Sequence, residues 1–394
     1  MTPPPAFRPA SENTLAVLVG TATHVHPSEL PAVPQAARNV LALHDALAAP
    51  RGSFGYPAGL RTVVDPRDAD EVVDALVRPR EDAPPDRRDP DVLLFYYAGH
   101  GFADADERQL RLALPATLST RRGDGPSLPI REVLAAMAAS GARQCVAVLD
   151  CCFAGLALHA PEAARVHLLT AASEGYQAGF LDGRPDLPTA FTGALLDLLA
   201  TGVPDEDRHL RLGTLYRRLA VILPASDPPR PDPAQRTVDD SADLALAVNP
   251  AHGTAHTRTG LCRRRDFALL ARKAARRAAE LDDRSRSTRR LALAVHEARA
   301  LTADATAALG RTDPDTLYYR ELLGVLLGES GDSESARAVL TELATDLEAD
   351  DPGHAERLAS VRARLTRRNT EEPSHPGGRG WTGSQPAARP GIRP

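Results

Sequence analysis

Two short segments of the sequence carry side chains suited to nucleophilic chemistry. One reads Tyr97-Ala-Gly-His-Gly101 and the other reads Asp150-Cys-Cys-Phe-Ala-Gly155. An imidazole that faces a thiol can take the proton from sulfur, or stabilise a thiolate, and can later protonate an amine leaving group. Backbone N–H groups beside the reacting carbonyl, here those of Gly101 and Cys152, can cradle an oxyanion. We therefore predict that His100 and Cys152 form a catalytic pair.

Both segments follow apolar runs that predict buried strands, at residues 91–97 and 144–149. Further runs predict strands at residues 14–19, 60–64, 166–170 and 244–248, and helical patterns lie at residues 35–47, 68–76, 130–139, 191–200 and 212–222. Strands without polar alternation, separated by helices, indicate an α/β fold with a mainly parallel sheet covered on both faces. Ligands gather beyond the carboxyl ends of such strands, where both motifs lie.

The pattern changes after Pro250, where helical periodicity replaces the solid apolar runs. Helices are predicted near residues 264–281, 284–309, 315–328, 333–348 and 353–367, and paired helices with recurrent breaks suggest a small repeat array. The predicted organisation is a disordered tail at 1–12, an α/β domain at 13–250, a linker at 251–263, a helical domain at 264–368 and a disordered tail at 369–394.

The two motifs, in this order, resemble those of the caspase-like peptidases, in particular bacterial members and metacaspases. Their pattern is His-Gly followed by Asp-x-Cys-x-Ser-Gly, and His100 lies 52 residues before Cys152, close to the interval of about 50 known for caspases. The resemblance spans about residues 15–248. It implies a caspase-like fold and a cysteine endopeptidase acting on proteins or peptides, with Cys152 rather than Cys151 as the nucleophile. Ala154 replaces the Ser that family members often carry, from which we expect tuned rather than lost activity.

The same resemblance places Asp150, two residues before the nucleophile, in the pocket that reads the side chain before the cleaved bond. A carboxylate in a partly dry pocket attracts a cation and repels an acidic side chain. We therefore predict cleavage after Arg or Lys and not after Asp, with Glu174 as a second pocket charge. The alternative interpretation of Asp150 is that it caps the following helix.

Related enzymes are often activated by a cut between two halves of the catalytic domain. Arg184, in the segment 179–186, is the candidate for such a cut, although Pro185 follows it and usually blocks proteolysis.

No cofactor is expected from the residues. Calcium binding by Asp104-Ala-Asp106-Glu107 is an alternative to a solvated charge cluster. His24 and His26 lack an apparent third ligand for a metal, so a surface or loop position is the default expectation for them, as it is for His159 and His167.

Composition excludes several classes of protein. The 394 residues are 43% hydrophobic and 25% charged, with a formal net charge of −5. No apolar run is long enough for a membrane helix, and no basic block indicates nucleic acid as a partner. Four cysteines and no visible signal peptide indicate a reducing, cytoplasmic setting.

The segment Leu317-Tyr-Tyr-Arg-Glu-Leu-Leu-Gly324 and the preceding Asp313-Pro-Asp-Thr-Leu317 resemble tetratricopeptide repeats of the kinesin-light-chain type. Such arrays present a groove for a peptide or partner protein, and the alternative is a helical bundle without a ligand. For the whole chain, two other functions stay open. One is a catalytically silent scaffold that binds partners, and the other is an amidase or transpeptidase that uses the same two residues.

Overall fold

The computed structural model describes residues 13–26, 30–48, 59–78, 89–104, 108–118, 125–173, 185–238, 244–349 and 354–370. The elements in chain order are β1 (Thr14–Gly20), α1 (Pro34–Ala48), β2 (Leu60–Val64), α2 (Ala69–Val77), β3 (Val92–Ala98), β4 (Gly101–Ala103), β5 (Leu110–Ala113), β6 (Ser127–Pro129), α3 (Ile130–Ala139), β7 (Gln144–Asp150), β8 (His167–Thr170), α4 (Ala190–Thr201), β9 (His209–Arg211), α5 (Leu212–Ala225), β10 (Ala234–Arg236), β11 (Ala245–Val248), α6 (Arg258–Glu280), α7 (Arg284–Leu309), α8 (Pro314–Glu329), α9 (Ser333–Ala349) and α10 (Ala355–Thr370).

Within the described residues, six strands form a central sheet in the order β10-β8-β7-β3-β1-β2. Strands β2, β1, β3, β7 and β8 run parallel, and β10 is antiparallel to β8. Both β1 and β3 are buried along their whole length, which explains their apolar runs without polar alternation.

Successive side chains of the sheet pack into two separate cores. Leu18 and Tyr96 face the core formed with α1, α4 and α5, whereas Val17 and Phe95 face the core formed with α2 and α3. This alternation is the period of two that a strand imposes on its side chains. The predicted fold class, a mainly parallel sheet with helices on both faces followed by a helical region, is confirmed.

The sheet differs from the sequence prediction at one edge. The strand predicted at residues 244–248 is β11, which pairs with β9 outside the central sheet, and β10 closes the sheet instead. Strand β10 has only three residues, Ala-Gln-Arg, so it gives no apolar run to recognise. The antiparallel sheet β4-β5-β6, which follows the His100 segment, was also not predicted.

All five predicted C-terminal helices are present as α6 to α10 in the described part of the chain, and each packs against the next. The predicted linker at 251–263 is wrong in its second half, because α6 begins at Arg258 with the Thr257 side chain accepting a hydrogen bond from Gly260 N–H. At the other end α10 extends to Thr370, past the predicted start of the tail at 369. The tails 1–12 and 371–394 lie outside the described residues.

The helical region also contacts the α/β region, since α6 packs along α5 and the Arg218 guanidinium lies 3.7 Å over the Phe267 ring. Among the residues described, no helix has the length and apolar character needed to cross a membrane.

Candidate active site

The register of β3 and β7 brings the two sequence motifs to the same edge of the sheet. The strands are parallel neighbours, and the last paired residues are Ala98 and Asp150. His100 and Cys152 each lie two residues beyond this pair. The backbone of the two segments is in contact, because a Cβ built on Gly101 would overlap the carbonyl oxygen of Cys152.

A hydrogen bond fixes the chemical form of the His100 ring. Its Nε2 lies 2.8 Å from the carbonyl oxygen of Pro31, in the loop between β1 and α1. Because a carbonyl oxygen only accepts, Nε2 carries the hydrogen and Nδ1 of the neutral ring keeps its lone pair. Burial lowers the pKa of His100 below its ordinary value, although the Pro31 bond acts in the opposite direction. The ring is therefore a neutral base with Nδ1 as its basic atom.

The Tyr97 side chain positions the main chain of the His100 segment through hydrogen bonds. The buried Tyr97 hydroxyl lies 2.9 Å from the His100 carbonyl oxygen and 2.8 Å from that of Ala113, and it donates to them. Gly99 has φ +152°, and a Cβ there would lie 2.7 Å from this hydroxyl. A glycine is thus required for the chain to turn over the tyrosine.

The Cys152 segment turns sharply after β7. Phe153 has φ +58°, in the left-handed region, and a 3-10 helix, Ala154–His159, begins directly after it. Cys151 is completely buried, and burial raises the pKa of its thiol well above the ordinary value. Cys152 is partly exposed. Of the two adjacent cysteines, only Cys152 is accessible to a substrate.

The β4–β5 ladder gives the direction of one predicted oxyanion donor, the Gly101 N–H. In the β4–β5 ladder Ala113 N–H donates to the His100 carbonyl, so Gly101 and Leu112 form the next, non-hydrogen-bonded pair. The Gly101 N–H therefore points away from β5.

Asp150 ends β7 as a buried carboxylate, 2% exposed. Its Oδ2 accepts hydrogen bonds from the Thr189 hydroxyl, from the Thr192 hydroxyl at 2.6 Å and from Asn39 Nδ2 at 3.3 Å. Burial raises the pKa of Asp150, and the threonine hydroxyls oppose that shift. The interpretation of Asp150 as a cap of the following helix is wrong, because Phe153 is the N-cap residue there and the carboxylate binds side chains at the start of α4 instead.

A small cavity beside Asp150 contains a second charged residue. It is lined by Asp150, Ala171, Ala190, Phe191, Leu223, Arg230 and Pro231. Sequence reasoning missed Arg230, because it lies in the loop before β10, a strand that was not predicted. Pro31 was also missed, since it acts through its main-chain oxygen and no residue type signals that role.

His24 lies against the candidate base. It is buried, 7% exposed, and its ring centroid is 5.4 Å from that of His100 with the planes at 48°. Burial, and then the nearby His100, lower the pKa of His24. Asp65 holds this loop, since its carboxylate accepts from Ala22 N–H at 2.7 Å and from Thr23 N–H at 2.9 Å. The expectation of a surface or loop position holds for His24, which lies in the loop after β1 although its side chain is buried, and it is wrong for His167, which is fully buried in β8.

Several predicted residues fall outside the described part of the chain. These are Glu174, Asp106, Glu107 and Arg184. Asp104 is described and forms an ion pair with Arg111 at 3.3 Å. No group of three or more His, Cys, Asp or Glu residues placed to hold a metal ion occurs among the described residues.

Comparisons with known proteins give a distant structural likeness. No family model matches the chain, and no curated protein matches it. Among solved structures, the chain is similar to caspase-1 from Spodoptera frugiperda, with 12% sequence identity and a TM-score of 0.40, over 60% of this chain and 91% of that one.

Gly101→Ala is expected to destabilise the protein by about 1–3 kcal/mol, because the new methyl group overlaps the Cys152 carbonyl and meets Cys151 Sγ at 2.8 Å. The matched control is Gly193→Ala in α4, where the nearest atom to the new Cβ is 3.9 Å away. There alanine is expected to stabilise the helix by about 0.5–1 kcal/mol. Urea unfolding measures both, and equal effects would contradict the contact at Gly101.

Stability is expected to fall as pH drops below the ordinary histidine pKa of 6.5. The folded-state pKa values of His24 and His100 are lowered, so the unfolded state binds more protons in this window and is favoured. His24→Phe keeps an aromatic ring at this position but removes one of the two titrating imidazoles. The decrease in melting temperature between pH 7.5 and pH 5 should therefore become smaller. The exposed His26→Gln is the control, and an unchanged loss in His24→Phe would refute the assignment.

Proposed function

We propose that the chain is a caspase-like cysteine endopeptidase in which Cys152 is the nucleophile and His100 the general base and acid. The observation that carries the proposal is the paired register of Ala98 and Asp150, which sets the two segments side by side. The Pro31 hydrogen bond adds a reason, since it keeps Nδ1 of His100 unprotonated. A nucleophile next to an oriented base is the arrangement that covalent catalysis requires.

Acylation begins when the Cys152 thiol passes its proton to His100 Nδ1 and sulfur attacks the peptide carbonyl carbon. The carbonyl π electrons move to oxygen, and the N–H groups of Gly101 and Cys152 stabilise the resulting oxyanion. The tetrahedral species collapses as the C–N bond breaks and His100 returns the proton to the leaving amine. The products are a thioester on Cys152 and a free amine.

Deacylation repeats these steps with water. His100 takes a proton from a water molecule while the water oxygen attacks the thioester carbonyl carbon. The C–S bond then breaks. The proton passes to sulfur, which regenerates the thiol, and the carboxylic acid product leaves. The neutral form of His100, favoured by burial, is the form that both attacks need.

Selectivity for Arg or Lys before the cleaved bond is the second part of the proposal, with Asp150 as the acidic group. Asp150 is one of the residues that line a small cavity between β7, α4 and the loop before β10. The proximity of Arg230 offsets part of its attraction for a cation, since like charges in one cavity repel. Glu174, in the loop after β8, is proposed as an additional acidic group.

The helical region at 264–368 is proposed as a separate domain that recruits or regulates through a protein partner. Its helices pack consecutively, as in a repeat array, and Gly324 of α8 meets Leu340 of α9 closely enough that a Cβ would lie 2.6 Å from the leucine. Consecutive packing leaves a surface along the array for a partner.

A peptide with an electrophilic group after a terminal Arg is expected to label Cys152 of the native chain. The native chain is also expected to hydrolyse the corresponding Arg peptide amide. Cys152→Ala should abolish labelling and lower kcat by a factor of about 10⁴ or more, and His100→Ala by about 10²–10⁴. Cys151→Ala is the matched control and should retain labelling. Mass spectrometry and peptide hydrolysis measure the outcomes.

A folded chain that labels at neither cysteine would instead favour the silent scaffold. Labelling at Cys152 without peptide-bond cleavage would favour an amidase or transpeptidase.

Arg230→Ala is expected to raise kcat/KM for Arg peptides by about fivefold, because it removes a like charge whose repulsion of the substrate is worth about 1 kcal/mol. Asp150→Asn should lower it by about tenfold or more. The informative quantity is the ratio of kcat/KM for an Arg peptide to that for its Gln counterpart, because this ratio is independent of the folded fraction. A higher rate on Asp peptides than on Arg peptides in the native chain would overturn the assignment of the pocket.

A further inference from the structure

The direction in which a substrate crosses the sheet follows from the roles of the two candidate residues. His100 protonates the leaving amine, so the part of the substrate after the cleaved bond lies on the β3 side of Cys152. The acyl part, which precedes the bond, then extends the other way, across β8 toward β10. Neighbouring strands are about 4.8 Å apart, so β10 lies about 10 Å from β7, a span of about three extended residues.

The helical region contacts the loop before β10, at the β10 edge of the sheet. The Asp232 carbonyl, just before β10, accepts a hydrogen bond from Ser173 N–H at 3.0 Å, just after β8. The Asp232 carboxylate forms ion pairs with Arg286, at 2.9 Å, and with Arg290, both from α7. Asp227 lies in the same loop between α5 and β10, and its carboxylate pairs with Lys273 of α6 at 2.6 Å.

Three cavities that share lining residues lie between Asp150 and α7. The small cavity at Asp150 shares Arg230 and Pro231 with a cavity of about 400 Å³. That cavity shares Ser173 and Asp232 with a third one of about 480 Å³. A substrate whose side chain lies next to Asp150 would therefore place its preceding residues toward the third cavity.

The third cavity, which we call the basic cleft, carries an excess of positive charge. Its described charged and polar lining includes Ser173, Arg217, Asp232, Arg286, Arg289 and Arg290. Asp232 is the acidic residue among the described lining residues. Two carboxylates outside the lining also form ion pairs at 3.3 Å, Glu206 with Arg217 and Asp283 with Arg286, and Arg289 carries the remaining positive charge. The Ser173 hydroxyl is buried and has no hydrogen-bond partner among the described residues.

We propose that the basic cleft binds acidic side chains that precede the cleaved bond. The substrate class is then a peptide in which a basic residue at the cleavage position follows Asp or Glu by about three residues. This inference rests on the proposed function for the direction of the substrate. It makes α7 part of the substrate-binding surface, so the helical region selects substrates directly.

The test compares peptides with Glu-Glu-Glu, Gln-Gln-Gln or Lys-Lys-Lys before a cleavable Arg, using the full chain. The native chain should have a kcat/KM at least tenfold higher for the Glu peptide than for the Lys peptide. Arg289→Glu should remove or reverse this preference, because Arg289 is an exposed residue of the cleft that does not pair with Asp232. Arg299→Glu, an exposed arginine of the same helix that lines none of these cavities, should leave it unchanged.

Binding to the Cys152→Ala chain, measured by fluorescence anisotropy with the same peptides, separates this inference from the proposed catalysis. Tighter binding of the Glu peptide that depends on Arg289 supports the basic cleft even if no peptide is cleaved. Cleavage of all three peptides at equal rates would overturn the inference and leave the endopeptidase proposal intact. Equal binding of the three peptides together with no cleavage would overturn both.

Discussion

The ladder of main-chain hydrogen bonds between β3 and β7 is the constraint on which the candidate site depends. It sets the heights at which the two strands end, with Ala98 opposite Asp150. A slip of one residue would move Cys152 by about 3.3 Å and turn its side chain to the other face of the sheet. Close approach of the two turns also requires the missing side chain of Gly101.

A second layer of interactions determines the state of the imidazole. His100 is buried against His24 and hydrogen bonded to the Pro31 carbonyl, so its neutral form is favoured with a defined tautomer. The loop that supplies both neighbours is anchored from β2 by Asp65. The base thus depends on residues from three parts of the chain, although only His100 itself carries a recognisable motif.

Charge is distributed unevenly along the carboxyl edge of the sheet. The Asp150 carboxylate is buried among hydroxyl groups and an amide, Arg230 lies in the same cavity, and arginines of α7 surround Asp232 beyond it. Because Asp150 is buried, its charge acts more strongly on neighbouring groups than it would in water. Residues of the helical region and of the α/β region together line two of these cavities.

The sequence by itself predicted most of the elements of the central sheet and the helical region, and it named the candidate catalytic residues. Long apolar runs predicted β1, β3 and β7, helical periodicity predicted α6 to α10, and glycines beside His100 marked a turn at a strand end. Only the tertiary structure placed Pro31, Arg230 and β10. Their roles depend on a main-chain oxygen, on a loop position and on pairing with a distant strand. Local patterns report the burial of neighbouring residues, whereas contacts between distant residues arise when the layers of the fold pack together.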